Sequence, residues 1–412
     1  MILTFFLLVF ALSGCTNDNL TSSIEVINLE PGLNDPTQVF LSQYATDVTY
    51  VSLEMNDDFP LKRVTSFDSR DTVMLVSDPQ GFFLYNTNGE FLSRIGSKGR
   101  GPEEYINGVN GKIGEQRSIY INYGKGLVKY NFNGDFLARF PVFSNPEIFK
   151  WGTHSWSMIG DSLVFVHLRN ISGDEDTKAL VLDKSGEVVT SYKNYNFYMG
   201  RRSTLSSTST IYPYCGDLSF IESFNDTLFR LNDKLELIPA ISFNPGKFRI
   251  GYEEYYSGTL NDRQWARIND VFETKNFLYI DLLTYLTMLR RAVPLKDLSS
   301  GPPNVYTTKV LGVYDKNSKD LTVVEISRTD EKLLITGLFN DIDGGPKFYP
   351  KFRMGEDRFV MPIDAYDLKL YVASESFRDA HAKYPEKKKE LEELVNSLKE
   401  DSNPVLMVVT MK

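Results

Sequence analysis

Side chains arranged for chemistry are few in this 412-residue chain, and they gather in short polar segments. Asn340-Asp341-Ile342-Asp343-Gly344-Gly345 sets an amide and two carboxylates close together, a pattern by which a loop aims oxygens at one hard cation. Asn340, Asp341 and Asp343 are therefore candidate metal ligands, with a divalent ion such as calcium as the candidate cofactor. The segment lacks the downstream bidentate Glu of a calcium loop, and Asn, Asp and Gly are equally the residues of an ordinary turn. Arg201-Arg202 is a second candidate, since adjacent guanidinium groups can grip a carboxylate or phosphate bidentately or simply face water. A third is SKGRGPEEYINGVNG at 97–111, where Arg100, Glu103, Glu104 and Tyr105 offer ligand contacts while the glycines offer a tight turn with a surface ion pair. No GxxxxGK pattern enters a helix here, which argues against a phosphate cradle.

Nucleophilic catalysis has little to draw on. Histidine occurs only at 154, 167 and 381, and cysteine only at 15 and 215. Cys215, in IYPYCGDL, reads as a small apolar residue packed in a core. Cys15 has a different chemistry: it closes Leu12-Ser13-Gly14-Cys15 after an apolar run at 2–12, far shorter than the ~20 residues of a spanning helix, and polar residues follow at once. This is the pattern of a lipoprotein signal, cut before a cysteine that then carries lipid, although no Lys or Arg precedes the run as a charged n-region would require. The expected organisation is a signal peptide over 1–14, a tether over 15–23 and a folded body over 24–412.

The elements that must position these segments are strands. Phe and Tyr number 28 and 23, many of them in short β-branched and aromatic runs bounded by Asn, Asp and Gly. A net charge of -9 and the absence of a basic stripe exclude nucleic acid as a partner. FLYNTNGEFLSRIG at 83–96 returns as LVKYNFNGDFLARFP at 127–141, with Asn88-Gly89 and Asn133-Gly134 lying 45 residues apart. Asn-Gly between alternating apolar runs predicts a hairpin with a type I′ turn. Weaker copies stand at 180–192, 228–243 and 311–326, and two further short strands precede each hairpin. Four strands at this period are the mark of a propeller blade.

Five blades are continuous and the sixth is split. FYPKFRM, DRFVMPI and the C-terminal VLMVVTMK supply three of its strands, and an N-terminal strand, IEVINL at 24–29 or DVTYVSLE at 47–54, supplies the fourth. Closure by this means removes an exposed sheet edge. Within that blade a helix is expected from about 377 to 399, with Leu391, Leu394, Val395 and Leu398 as an apolar stripe that caps the propeller. The fold class is all-β, a six-bladed β-propeller. Connections from the outer strand of one blade to the inner strand of the next gather around one mouth of the channel, so the three polar segments share a rim. Trp151, Trp156 and Trp265 could stack on sugar rings, but their places near blade starts favour packing between blades.

The signal at 12–15, IGSKGRGPEEY, NDTLFRL, NDIDGGPKFYP and the ending EDSNPVLMVVTMK together make the chain similar to the six-bladed β-propeller lipoproteins of Bacteroides-type bacteria, and GRGPEEY also resembles NHL-type propeller repeats. The resemblance runs nearly the whole mature length. It implies a lipid anchor on Cys15 and a place in the cell envelope, at the outer membrane, and it supplies no catalytic residue. Two functions remain open on the residues. One is a binding or interaction module for a glycan, a peptide or an envelope partner, with docking to an outer-membrane nutrient-uptake protein as a variant. The other is a metal-dependent hydrolase or lyase, similar to propeller lactonases, with Asn340, Asp341 and Asp343 at the channel mouth.

Overall fold

The computed structural model describes residues 24–106, 108, 110–198, 209–257, 263–285, 308–325, 327–328 and 334–412. Six four-stranded antiparallel sheets form a ring. Blade 1 is Ser66–Arg70, Val73–Asp78, Gly81–Asn86 and Phe91–Ile95, numbered from the channel outward, and blade 2 runs from Gly111–Ile113 to Phe136–Phe140. Blade 3 spans Thr153–Ile159 to Val188–Lys193, blade 4 Ser209–Tyr214 to Leu237–Asn244, and blade 5 Trp265–Glu273 to Leu321–Val323. Blade 6 combines Phe352–Met354, Arg358–Ile363 and Val405–Met411 with Ala45–Ser52 as its outer strand, Thr49 lying opposite Val408.

The middle strands are buried on both faces, which is why they read as continuous apolar runs rather than alternating ones. Alternation survives in which neighbour each residue meets. In Val73–Asp78, Met74 and Val76 pack toward blade 6 with Leu406 and Val408, while Val73 and Leu75 pack toward blade 2 with Ile119 and Ile121. One apolar cluster fills each of the six junctions.

The repeated turn differs from the type I′ expectation. Only the glycine takes a positive φ, +89° at Gly89 and +87° at Gly134, and the turn is held by the residue that ends the strand. Asn86 Oδ1 accepts from the N–H of Asn88 and of Glu90, both at 3.0 Å, and Asn131, Asp183 and Asn232 do the same in blades 2 to 4. A register shift follows in each hairpin, the signature of a turn with a bulge. Gly89 has a second reason to be glycine: a Cβ there would lie 2.2 Å from the carbonyl oxygen of Ser52, at the end of the strand that closes the ring.

Three details depart from expectation. Of the two N-terminal donors, DVTYVSLE closes blade 6, whereas Glu25–Asn28 adds in parallel to Leu237–Asn244 and makes blade 4 five-stranded. From there the chain belts blades 5 and 6, with Leu29 and Leu33 in the core between blades 4 and 5 and Thr37 bridged to Val324. The helical insertion is larger than 377–399: Ala365–Ala373, Glu375–Asp379 and Pro385–Ser397 pack together around Leu368, Phe377, Leu391 and Val395. Ser374 caps the second helix by accepting from Phe377 N–H, and Pro385 starts the third, so one continuous helix is impossible. Cys215 is not a core residue; it sits half-buried in the hairpin turn of blade 4 with φ +49°, and no described cysteine is free. Among the described residues no helix is long and apolar enough to cross a membrane.

Candidate functional site

The rim carries the segments singled out above, but the structure puts most of their side chains to internal use. Tyr105 is fully buried against Phe82, its hydroxyl donating to the Ile95 carbonyl at 3.1 Å. Glu104 folds back to accept from Gly101 N–H at 2.8 Å and from Ser97 Oγ at 3.3 Å. From blade 2, Arg139 donates to the Pro102 carbonyl at 2.9 Å and Tyr130 to the Glu103 carbonyl at 2.6 Å. The loop is thus a joint between blades 1 and 2; of its four candidate residues Arg100 and Glu103 are exposed, and Glu104 and Tyr105 are turned inward.

Asn340, Asp341 and Asp343 do not fit a shared cation. Both oxygens of Asp341 are held by Ser42, its N–H at 2.9 Å and its hydroxyl at 2.6 Å, which fixes the N-terminal belt to the rim. Asp343 Oδ1 accepts from Asn340 at 2.6 Å and Gly345 N–H at 2.7 Å, the geometry of a tight polar turn. Burial pushes the Asp343 carboxyl above its ordinary pKa, and its Oδ2 is buried without a hydrogen bond. Among the described residues no three His, Cys, Asp or Glu side chains are grouped to hold a metal. Arg201, Arg202 and Cys15 lie outside the described residues. Trp156 is buried between blades 2 and 3 as expected, Trp265 is buried in a separate cluster with Ile250, Tyr255 and Tyr285, and Trp151 is half-buried on the rim and donates to Glu175 at 3.0 Å.

The open concavity on this rim lies elsewhere, between blades 3 and 4. It has a volume of about 330 Å³ and is walled by residues 194–198, by Asn170, by the turn Glu222–Phe224 and by residues 251–253. Asparagines shape it. Asn194 donates to the Glu175 carbonyl at 2.9 Å and accepts from Asn196 N–H at 3.0 Å, while Asn170 donates to the Asn196 carbonyl at 3.0 Å. Gly173 admits this packing, because a Cβ there would fall 2.0 Å from the Tyr198 carbonyl oxygen. With the backbone so held, Tyr195 is 76% and Phe197 53% exposed. Deeper in, the Tyr198 ring stacks on Tyr252 and the Phe224 ring meets Tyr252 and Tyr255 edge-on at 5.3 and 5.4 Å. Phe224 reaches this position with φ +61°, a conformation that costs an L-residue about 1–2 kcal/mol and that marks sites where placement of a side chain matters.

Glu222 forms the floor. Its Oε2 lies 3.0 Å from His167 Nε2 and its Oε1 2.6 Å from Lys178 Nζ, with Asn225 donating at 2.9 Å; on the other side of the imidazole, Ser209 Oγ lies 2.9 Å from Nδ1. Burial alone would raise the Glu222 pKa, but the His167 hydrogen bond and the Lys178 charge outweigh it and hold the carboxyl down at about 2. Although serine, histidine and glutamate stand in a row, His167 is only 1% exposed inside the blade junction, where no substrate carbonyl reaches its ring. The row acts as a polar staple of blades 3 and 4, and its anionic oxygens are already engaged. What the cavity offers a ligand is aromatic surface beside the exposed Asn196. The sequence signal for it, the run Asn194-Tyr195-Asn196-Phe197-Tyr198, lies immediately before the Arg201-Arg202 pair in the same connection and is notable only because its aromatic residues fall outside a strand.

A search of curated protein sequences finds no match. Among solved structures, a Bacteroides fragilis protein described as exported is similar over 95% of this chain and 100% of its own, at 19% identity and a TM-score of 0.63. A DUF4221-family protein of Bacteroides vulgatus is similar over 68% of this chain and 84% of its own, at 13% identity and a TM-score of 0.46. A streptogramin B lyase covers 72% and 93% at 10% identity and 0.36. The family model of a domain of unknown function, DUF4934, matches residues 24–410, and the chain, itself a six-bladed β-propeller, belongs to that family.

Proposed function

We propose that this protein is a lipid-tethered binding module of the cell envelope that holds a saccharide in the cavity between blades 3 and 4. One observation carries the reading: solvent-facing rings of Tyr195 and Phe197 flank the exposed Asn196 in a preformed concavity. Sugar rings present flat C–H faces ringed by hydroxyls, which suit aromatic surface with an amide at its edge, and the volume lies within the usual range of small-ligand pockets, about 300–1,000 Å³. Calorimetry with a panel of oligosaccharides tests it. Binding by the native chain that is lost in the Tyr195→Ala/Phe197→Ala double variant is expected; binding that survives in that variant would move the site elsewhere.

The envelope location rests on the signal at 12–15 and on the exported relative. Strand polarity adds an orientation. Glu25–Asn28 runs parallel to Leu237–Asn244, whose C-terminal end leads to the rim, so the chain before Ile24 leaves toward the opposite face. A tether of about eight residues spans roughly 15 Å, which holds that face close to the lipid and turns the cavity away from it. An outer-membrane nutrient importer is the partner such a cavity would serve, and co-purification from membranes tests that. Intact-mass measurement of membrane-extracted protein should find diacylglyceryl on Cys15; an unlipidated chain with its two cysteines cross-linked would overturn the anchor.

A further inference from the structure

We infer that the saccharide taken by this cavity is an acidic one, whose carboxylate is received by Arg267. The inference rests on the saccharide reading and goes beyond it by fixing the ligand's charge. Arg267 stands half-buried on the innermost strand of blade 5, next to the cavity rather than among its walls: its guanidinium is 4.8 Å from the centroid of the wall residue Phe224 and 5.4 Å from that of Tyr255. Those rings cover the flat face of the cation. They leave two of its nitrogens, whose donors point outward in the guanidinium plane, unanswered. Nε and Nη1 of Arg267 are buried without any hydrogen bond, and no described carboxylate forms an ion pair with it.

Two other interior arginines of this ring meet a carboxylate, although Arg353 too leaves its Nε unbonded. Arg230 is bidentate on Glu273 at 2.7 Å to each oxygen, and Arg353 reaches Asp270 at 3.0 Å. Arg94 also leaves its Nε unbonded, but it stacks on Phe59 in the junction of blades 6 and 1, away from the cavity. A buried cation without an anion is costly, and a planar fork of N–H donors is the best match a carboxylate has. The cavity's own acids leave room for one: Glu222 is held by Lys178 and His167, and Glu253 is exposed, where water and salt screen it. Phe224, held at a strained φ, joins the two features, since one of its faces is turned to the guanidinium and its ring borders the ligand space.

The test uses the native chain, tetragalacturonate and its carboxyl-reduced neutral counterpart, each titrated by calorimetry. The acidic sugar should bind about tenfold or more tightly than the neutral one, as a charge-assisted contact predicts. Arg267→Met should remove that difference while leaving the neutral sugar's affinity and the melting temperature unchanged, and Arg267→Lys should restore part of it. Equal binding of the two sugars by the native chain would overturn the inference and leave the saccharide reading standing, a result that needs no variant to fold. Loss of both sugars in Arg267→Met would assign the residue to packing and also overturn it. Failure of every saccharide to bind would overturn both readings.

Discussion

Two parts of the same rim make an instructive pair. The connection at 97–105 is conspicuous as sequence, with glycines, charges and a tyrosine in tight order, yet Tyr105 is buried, Glu104 closes the loop on itself and blade 2 grips its carbonyls. The wall at 194–198 is an inconspicuous polar-aromatic run, yet it leaves Tyr195 and Phe197 open to solvent above a cavity. Density of special residues marks where the chain must turn tightly and pack, because glycines and short hydrogen-bonding side chains are what a crowded joint needs. A recognition surface needs the opposite, large side chains held by their backbone and left uncovered.

The contrast can be broken most forcefully at the joint. Tyr105→Ala should cost about 3–5 kcal/mol of stability, read as a fall in denaturant midpoint, with saccharide affinity unchanged in the protein that remains folded. A large loss of affinity with little loss of stability would return the loop to the list of binding sites. On the cavity side the floor is the sensitive place. The folded-state pKa of Glu222, about 2, lies below its ordinary 4.5, so its stabilisation is present above pH 4.5 and is lost as pH falls toward 2, by something on the order of 3 kcal/mol. Acid titration of the unfolding free energy should show that loss in the native chain and a flatter curve in Glu222→Gln, which is itself destabilised because Lys178 is left without its partner.

Smaller effects sharpen the comparison. Tyr195→Ala and Phe197→Ala, combined, should leave the melting temperature within the span of ordinary surface changes, about 0.5 kcal/mol, while reducing saccharide affinity about tenfold or more. Arg100→Ala and Glu103→Ala should change neither stability by more than about 0.5 kcal/mol nor affinity at all, and a measurable fall in affinity would show that the exposed edge of the joint takes part in binding.

Much of the fold was legible because the blade is a local unit repeated. The 45-residue spacing of Asn88-Gly89 and Asn133-Gly134, and the apolar runs around them, specify hairpins whose partners are close in sequence. The split of blade 6 was legible for the same reason: its strands at 352–354, 358–363 and 405–411 lacked a fourth, and a sheet edge must be covered. Less legible was which N-terminal strand would cover it. IEVINL and DVTYVSLE have similar patterns, and the choice was made by the sixteen residues between the ends of the first strand and the start of the second, 29–44, which reach across the outer edges of blades 4 to 6. The site was barely legible, since its walls come from four separate stretches, and a binding cavity made by juxtaposition has no motif.

The sequence by itself determined the local order of this protein: the strand and turn alternation, the number of blades, and the asparagine and glycine that fix the hairpins of blades 1 and 2. Those are set by interactions between near neighbours, where residue type and spacing are sufficient. Tertiary structure alone decided the fate of each polar group on the rim. Whether Asp341 meets a cation or Ser42, whether Tyr105 meets a ligand or Phe82, and whether Arg267 finds a carboxylate or two aromatic rings depends on which distant segments the closed ring brings alongside, and that is settled by the packing of whole blades.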